Sequence, residues 1–270
     1  MKKKVSGIIL AAVLLASLVG CGGKQEASQG QETTIKVGVT AGPHEEIINK
    51  VKELAAKQGI HVETVVFNDY ITPNRALTSG QLDVNSYQTI PFMDQYNKDH
   101  NTKIVPIGKT VTFLMGIYSK KYKKLEDLPE GATLGLQNDP VNMSRALHVY
   151  EQAGLIKLKP GVDVDKATPA DIAENPKNFQ FKLLDAALLA RTLNSLDAST
   201  VNSNFALKEG YKPKRDAIFM ENSSRYVNYI ATNEKDKDNP LYHKLVELYR
   251  SDEVKKFIEE TYDGVIITSW

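Results

Sequence analysis

Apolar positions along this chain recur with two periods, and segments of the two kinds alternate. Ile35 to Thr40 reads Ile-Lys-Val-Gly-Val-Thr, the alternation of a strand. Gly42-Pro43 then marks a helix start, because proline is tolerated at the first helical position. Ile47, Ile48, Val51, Leu54 and Ala55 follow helical spacing as far as Gly59. The valine-rich run His61 to Phe67 predicts a second strand. A strand, helix and strand in this order call for a parallel sheet with right-handed crossovers.

The alternation continues. It predicts a short helix over 73–79, a strand over 82–86, a helix over 91–97 and strands over 103–107 and 114–119. Leu125 to Gly131 is a turn-rich break, and a lobe boundary is expected there. Ala132 to Gln137 opens a second α/β unit. Asn138 or Asp139 can cap its helix, with Pro140 in the first turn and Gly154 near the end. A short helix at Thr168-Pro169, a strand over 179–184, a helix over 188–196 and a short strand over 200–202 follow. Tyr226 to Thr232 reads as an extended return strand, and two helices close the chain, started by Asn239-Pro240 and by Ser251. The expected organisation is one lobe from 34–125 with 226–270 and a second from 126–225.

The N-terminus carries a separate signal. Lys2, Lys3 and Lys4 precede a short apolar run, Val5 to Val19, too short for a stable transmembrane helix but suited to a signal peptide over 1–20. The run ends in Leu18-Val19-Gly20-Cys21, which resembles the bacterial lipobox, where the chain is cut before a cysteine that receives a diacylglycerol. Cys21 is the only cysteine, so it cannot form an internal disulfide. Residues 21–33 are small and polar and predict a flexible tether, with a span of roughly 20 Å. The implied location is the extracytoplasmic face of a cell membrane, held by the lipid.

Charge and motifs exclude several classes. The chain has 34 basic and 33 acidic residues, and loss of the three signal lysines turns the formal +1 into −2. That balance argues against nucleic acid as a partner, which would call for a basic face. No P-loop, Gly-x-Ser-x-Gly elbow, His-Glu-x-x-His or Cys-x-x-Cys pair is present. The five histidines (His44, His61, His100, His148 and His243) have no metal-ligand spacing, so neither a metal, a cofactor nor an enzymatic activity is expected.

The polar residues of the second unit suggest a zwitterion site. Asn142 and Arg145 are three apart, so they share a helix face. Both lie near a helix N-terminus, where free N–H groups and the dipole favour an anion. An arginine fork there suits a carboxylate, although an arginine at such a place equally suits a surface ion pair. Asn202 and Asn204 share one face if the strand continues through them, and Tyr226 and Asn228 repeat the spacing. Turn and cap chemistry is the alternative use of such asparagines.

Several segments, taken together and in order, resemble the methionine-binding lipoproteins of ABC uptake systems. They are Lys-Val-Gly-Val-Thr-Ala-Gly-Pro-His (36–44), Phe-Asn-Asp-Tyr (67–70), Met-Gly-Ile-Tyr-Ser-Lys-Lys (115–121) and Asn-Asp-Pro-Val-Asn-Met-Ser-Arg-Ala-Leu (138–147). Glu-Asn-Pro-Lys-Asn (174–178), Tyr-Val-Asn (226–228) and the ending from Ser251 to Trp270 belong to the same resemblance. It runs from about residue 34 to the C-terminus. It implies a two-lobed periplasmic-binding-protein fold of type II, with a ligand cleft between the lobes. It also implies delivery of a small amino acid, foremost L-methionine, to a membrane permease driven by an ATPase subunit.

By the same resemblance, Arg145 meets the ligand carboxylate, Asn202 and Asn228 hold its α-amino and carboxylate groups, and Tyr70 and Tyr87 embrace a thioether. One position departs from the family. Thr89 stands where its methionine-binding members carry histidine, so D-methionine, cystine or a methionyl dipeptide are competing ligands. A surface adhesin that no longer transports would also use a lipid anchor.

Overall fold

The computed structural model describes residues 33–222 and 225–270. The predicted signal peptide, Cys21 and the tether as far as residue 32 lie outside the described residues.

The first half of the chain forms β1 (Thr33–Thr40), α1 (Pro43–Ala56), β2 (Ile60–Phe67), α2 (Thr72–Thr78), β3 (Val84–Thr89), α3 (Ile90–His100), β4 (Ile104–Phe113), β5 (Met115–Tyr118), β6 (Thr133–Gln137) and α4 (Pro140–Gln152). The second half forms β7 (Lys157–Leu158), β8 (Ile172–Glu174), β9 (Gln180–Leu184), α5 (Ala186–Leu189), β10 (Ala198–Asn202), α6 (Ser203–Lys208), α7 (Pro213–Asp216), β11 (Ala217–Met220), β12 (Val227–Asn233), α8 (Pro240–Tyr249), α9 (Asp252–Tyr262) and β13 (Ile266–Thr268).

These strands build two main sheets. The first has the order β13-β4-β12-β3-β1-β2, and the second β11-β5-β10-β6-β9. In the first, β1 runs parallel to β2 and β3, while β12 returns antiparallel between β3 and β4. In the second, β6 runs parallel to β10 and β9, and β5 lies antiparallel to β10 and β11. The fold is therefore mixed α/β and two-lobed, as the alternation of periods predicts.

Each sheet has its own core. Ile35, Val37 and Val39 of β1 are fully buried against Ile47, Ile48 and Val51 of α1, with Leu245 of α8 and Val254 and Ile258 of α9 in the same cluster. Met115, Leu134, Leu136, Ala146, Leu147 and Tyr150 form a separate core around the second sheet. Burying one such aliphatic side chain contributes roughly 1.5–3 kcal/mol. Tyr150 is anchored inside by its hydroxyl, which donates to the Gly135 carbonyl at 2.6 Å and accepts the Thr200 N–H at 3.0 Å.

The chain changes sheet earlier than the turn-rich break suggests. β4 ends at Phe113 in the first sheet and β5 begins at Met115 in the second, so the crossing is at Leu114. The sequence there is a continuous extended apolar run, and periodicity cannot reveal that two halves of such a run join different sheets. The short strands β11 and β13 also escape the pattern. Asn204 does not continue a strand: β10 ends at Asn202, which occupies the N-cap position of α6. The predicted helix over 188–196 is replaced by α5 and a 3-10 turn, Leu193–Ser195.

Gly108 shows how tightly α8 rests on β4. A Cβ at that position would sit 2.4 Å and 2.8 Å from the two Val246 methyl carbons. A branched side chain on a packed helix has little room to yield, and overpacking of this kind costs typically 1–3 kcal/mol. Gly108→Ala should therefore lower the urea midpoint without changing the slope of the transition. A midpoint equal to that of the wild type would show that α8 rides loosely on the sheet.

Candidate functional site

The parallel strands deliver their C-terminal ends to one place, which is where open α/β sheets bind ligands. His44 follows β1 in the first turn of α1, and Tyr87, Gln88 and Thr89 end β3. Asn142 and Arg145 follow β6 on α4, and Asn202 and Asn204 follow β10. Tyr70 comes from the loop after β2, Phe92 from α3, Phe113 from the end of β4 and Asn228 from β12. Together these residues line one cavity. It contains all seven positions expected from the sequence: Tyr70, Tyr87, Thr89, Asn142, Arg145, Asn202 and Asn228.

Among the described residues Arg145 is the only cationic side chain lining this cavity, and its charge is already matched. Its guanidinium forms a fork with Glu221, whose Oε2 accepts from Nε at 3.2 Å and whose Oε1 accepts from Nη2. The Glu221 Oε1 also accepts the Met115 N–H at 2.6 Å, and Arg145 Nη2 donates to the Phe113 carbonyl at 2.7 Å. The Tyr226 ring covers the guanidinium, 4.1 Å from its carbon. The arginine and glutamate side chains are only 6% and 1% exposed. The Nη1 amino group is given no partner by the described residues. The arginine thus meets an ion pair, as one sequence reading allowed, but a buried one that leaves one edge of the fork open.

The asparagines form a relay beside it. Asp139 caps α4 by accepting the Asn142 N–H at 2.9 Å and also accepts from the Asn142 amide nitrogen at 3.0 and 3.1 Å. Asn202 Nδ2 donates to Asn142 Oδ1 at 2.9 Å, and Gln137 Nε2 donates to Asn202 Oδ1 at 2.9 Å. Thr200 completes the row by donating to Gln137 Oε1 at 3.0 Å. Burial raises the Asp139 carboxyl above the usual carboxylate range, against the opposing effect of the Asn142 hydrogen bonds. This row fixes the rotamers of Asn142 and Asn202 while leaving Asn202 one N–H and Asn142 one lone pair unused.

Across the cavity, Asn228 lies opposite Thr89 in the β12–β3 ladder and donates to the Val111 carbonyl at 3.1 Å, so its Oδ1 stays free. Thr89 is half-buried at the N-cap position of α3 and makes no capping hydrogen bond. Gln88 does not turn its amide to a ligand: it is held in a buried cluster with Asn74 and Asn85 by bonds of 2.8–2.9 Å.

One wall is aromatic. The rings of Tyr70 and Tyr87 stack with centroids 5.9 Å apart, and Phe92 meets both edge-on at 5.9 and 6.2 Å. Phe205 lies 4.8 Å from Tyr70 on its other side. The hydroxyls are tied back, Tyr87 to the Tyr70 carbonyl and Tyr70 to Asn204 Oδ1, each at 2.7 Å. Burial pushes both phenols upward in pKa, so they remain neutral donors.

Sequence reasoning missed His44, Phe92, Phe113 and Glu221 and gave Asn204 only a cap or strand role. His44 is 2% exposed, packs its ring 4.5 Å from Phe113 and leaves Nδ1 without a partner. The Asn204 Nδ2 is likewise buried and unpartnered. A readable signal existed for His44, which directly follows the first strand of a βαβ unit. For Glu221 the signal is weaker, a lone acid closing the apolar run Ala217 to Met220. Among the described residues no group of acidic, histidine or cysteine side chains could hold a metal, and no helix is long and apolar enough to cross a membrane.

Compared with known proteins, residues 35–270 match the family model described as NlpA lipoprotein. The D-methionine-binding lipoprotein MetQ of Escherichia coli (strain K12) is 37% identical over 273 residues, which is 100% of this chain and 99% of that protein. Outer membrane lipoprotein 3 of Mannheimia haemolytica is 36% identical over 99% of this chain and 98% of that protein. Among solved structures, a nutrient binding protein from Burkholderia cenocepacia bound to methionine superposes with a TM-score of 0.84. It is 45% identical, over 87% of this chain and 100% of that one.

The buried His44 gives the site a pH signature. Burial alone lowers its pKa from 6.5 to about 3. Between those values the unfolded chain binds a proton that the native imidazole refuses, so native stability falls as pH drops below 6.5. The slope from this one group is about 1.4 kcal/mol per pH unit. Urea unfolding of the ligand-free protein at pH 5 and pH 6.5 should show this loss, and His44→Gln should remove it. Equal losses in the two proteins would mean that His44 is solvated.

Proposed function

This chain belongs to the NlpA lipoprotein family, and from that premise we propose that it is the capture component of an ABC importer for methionine. In this reading it is a receptor and not an enzyme. Cys21 carries the lipid that holds it on the extracytoplasmic membrane face, the tether gives it reach, and a permease with its ATPase subunit takes the ligand from it. The moving bodies are the two lobes: residues 34–113 with 226–270, and residues 115–220.

The observation that carries the reading is the set of polar atoms left open around one cavity. Two N–H bonds on Arg145 Nη1, one on Asn202 and the free Nδ2 of Asn204 offer donors to a carboxylate. The Oδ1 atoms of Asn228 and Asn142 offer acceptors to an ammonium. Because Glu221 already balances Arg145, a ligand of zero net charge leaves the buried site neutral, whereas an acidic amino acid adds an uncompensated charge. The Tyr70, Tyr87 and Phe92 wall suits a thioether, with sulfur–aromatic contacts of about 0.3–1.5 kcal/mol each. The names of the relatives agree with this ligand: one is called D-methionine-binding, and another structure is bound to methionine.

Ligand-stripped protein should gain about 2.7 kcal/mol when methionine is present at a hundredfold excess over Kd. For a chain of this size that is a rise of about 5–10 °C in Tm. Testing L-methionine, D-methionine, cystine and methionyl dipeptides side by side identifies the ligand. A rise with either enantiomer of methionine agrees with the proposal. A rise only with cystine or a dipeptide makes Thr89 a change of specificity. No rise with any of them contradicts the receptor reading and favours an adhesin.

Calorimetry checks the site itself. Arg145→Ala should weaken methionine binding by more than tenfold, since both the fork and its orientation are lost. Unchanged affinity would remove Arg145 from the proposed site.

A further inference from the structure

We propose that Glu221 is a positioning residue that couples the ligand-reading arginine to the two connections on which the lobes turn. The proposal rests on the reading that Arg145 Nη1 receives the ligand carboxylate.

The chain passes between the sheets twice, at Leu114 and again between β11 and β12. The Arg145–Glu221 pair is bonded to both passages. Arg145 Nη2 donates to Phe113, the residue before the first crossing, and Glu221 accepts from Met115, the residue after it. Glu221 itself opens the second passage, directly after Met220, and Tyr226, whose ring lies on the guanidinium, ends it just before β12. One planar cation and one carboxylate therefore touch both sides of both crossings.

Hinge motion is absorbed by backbone rotations at a few such connecting residues. A rotation at Leu114 changes the position of the Phe113 carbonyl relative to the Met115 N–H. Those two groups are bridged by the ion pair, so the rotation disturbs the guanidinium plane. The same plane presents Nη1 to the cavity. Ligand binding and lobe angle thus act on one rigid group, and linkage requires each to affect the other. The Met115 N–H also satisfies the buried carboxylate, as any buried counter-ion requires; a counter-ion role alone does not require that the pair's partners flank both crossings.

The test uses Glu221→Gln, which keeps the shape and removes the charge, and Glu221→Asp, which keeps the charge. Wild-type protein should become more compact in small-angle X-ray scattering on saturation with methionine. Glu221→Gln should bind at least about tenfold more weakly and, when saturated, should fail to compact fully, while Glu221→Asp recovers part of both. A Glu221→Gln protein that binds within twofold of wild type and compacts to the same radius overturns the proposal.

A second measurement needs no variant and serves if Glu221→Gln does not fold. By NMR, exchange of the wild-type Met115 amide should slow on methionine binding by about tenfold more than that of Leu134 in the second core. Equal changes at the two amides overturn the proposal. A wild-type chain that binds methionine while either arm fails removes this inference alone, whereas one that binds no methionine removes the proposed function as well.

Discussion

The buried pairing of Arg145 with Glu221 is the constraint on which the site depends. Removing two charges from water costs several kcal/mol for each, and mutual attraction offsets this only when the geometry is good and the remaining hydrogen-bonding capacity is used. Here the carboxylate accepts from the arginine at both oxygens and from a backbone amide. The guanidinium also donates to a backbone carbonyl and is covered by an aromatic ring. The arrangement holds a cation, nearly all of it buried, without leaving it unbalanced. Its open edge is then directional and lies beside other unused donors.

The rest of the site follows from how two parallel α/β units present their ends. Helices that begin just after parallel strands bring N-terminal turns and short polar side chains to the same crevice. Each half contributes in a different chemical manner. The half around the first sheet supplies aromatic rings, a neutral histidine and the Asn228 carbonyl oxygen. The half around the second supplies the arginine and the row from Thr200 through Gln137, Asn202 and Asn142 to Asp139. That row resembles a rail: each amide is fixed by its neighbour, so little rotamer freedom remains to be lost when a ligand arrives.

Much of this was legible in the sequence because local rules operate there. The α1 and α4 helices start where Gly42-Pro43 and Asp139-Pro140 say they should, and the apolar spacing of Ile47, Ile48 and Val51 names the buried face. Arg145 and Asn142 could be placed on one face near a helix start from spacing alone. What escaped was set by tertiary context. The crossing at Leu114 lies inside an unbroken apolar run, and β13 exists only because β4 offers it an edge. Glu221 is distant in sequence from Arg145, and its role depends on a pairing that no local pattern encodes. His44 has no ligand spacing with the other histidines, and its position directly after β1 is the better guide to its place. Asn204 reaches the cavity from the first turn of α6, the turn-and-cap alternative of the sequence reading, rather than from a strand face.

The central claim is that a zwitterion binds with its carboxylate on the open edge of an arginine already paired within the protein. A crystal structure of the methionine complex tests this most directly. The account predicts the ligand carboxylate at Arg145 Nη1 and Asn202, its ammonium near Asn228, its thioether against the wall of Tyr70, Tyr87 and Phe92, and Glu221 still bonded to Nε, Nη2 and the Met115 amide. A ligand carboxylate that displaces Glu221 from the arginine, or that binds away from Arg145, would contradict it.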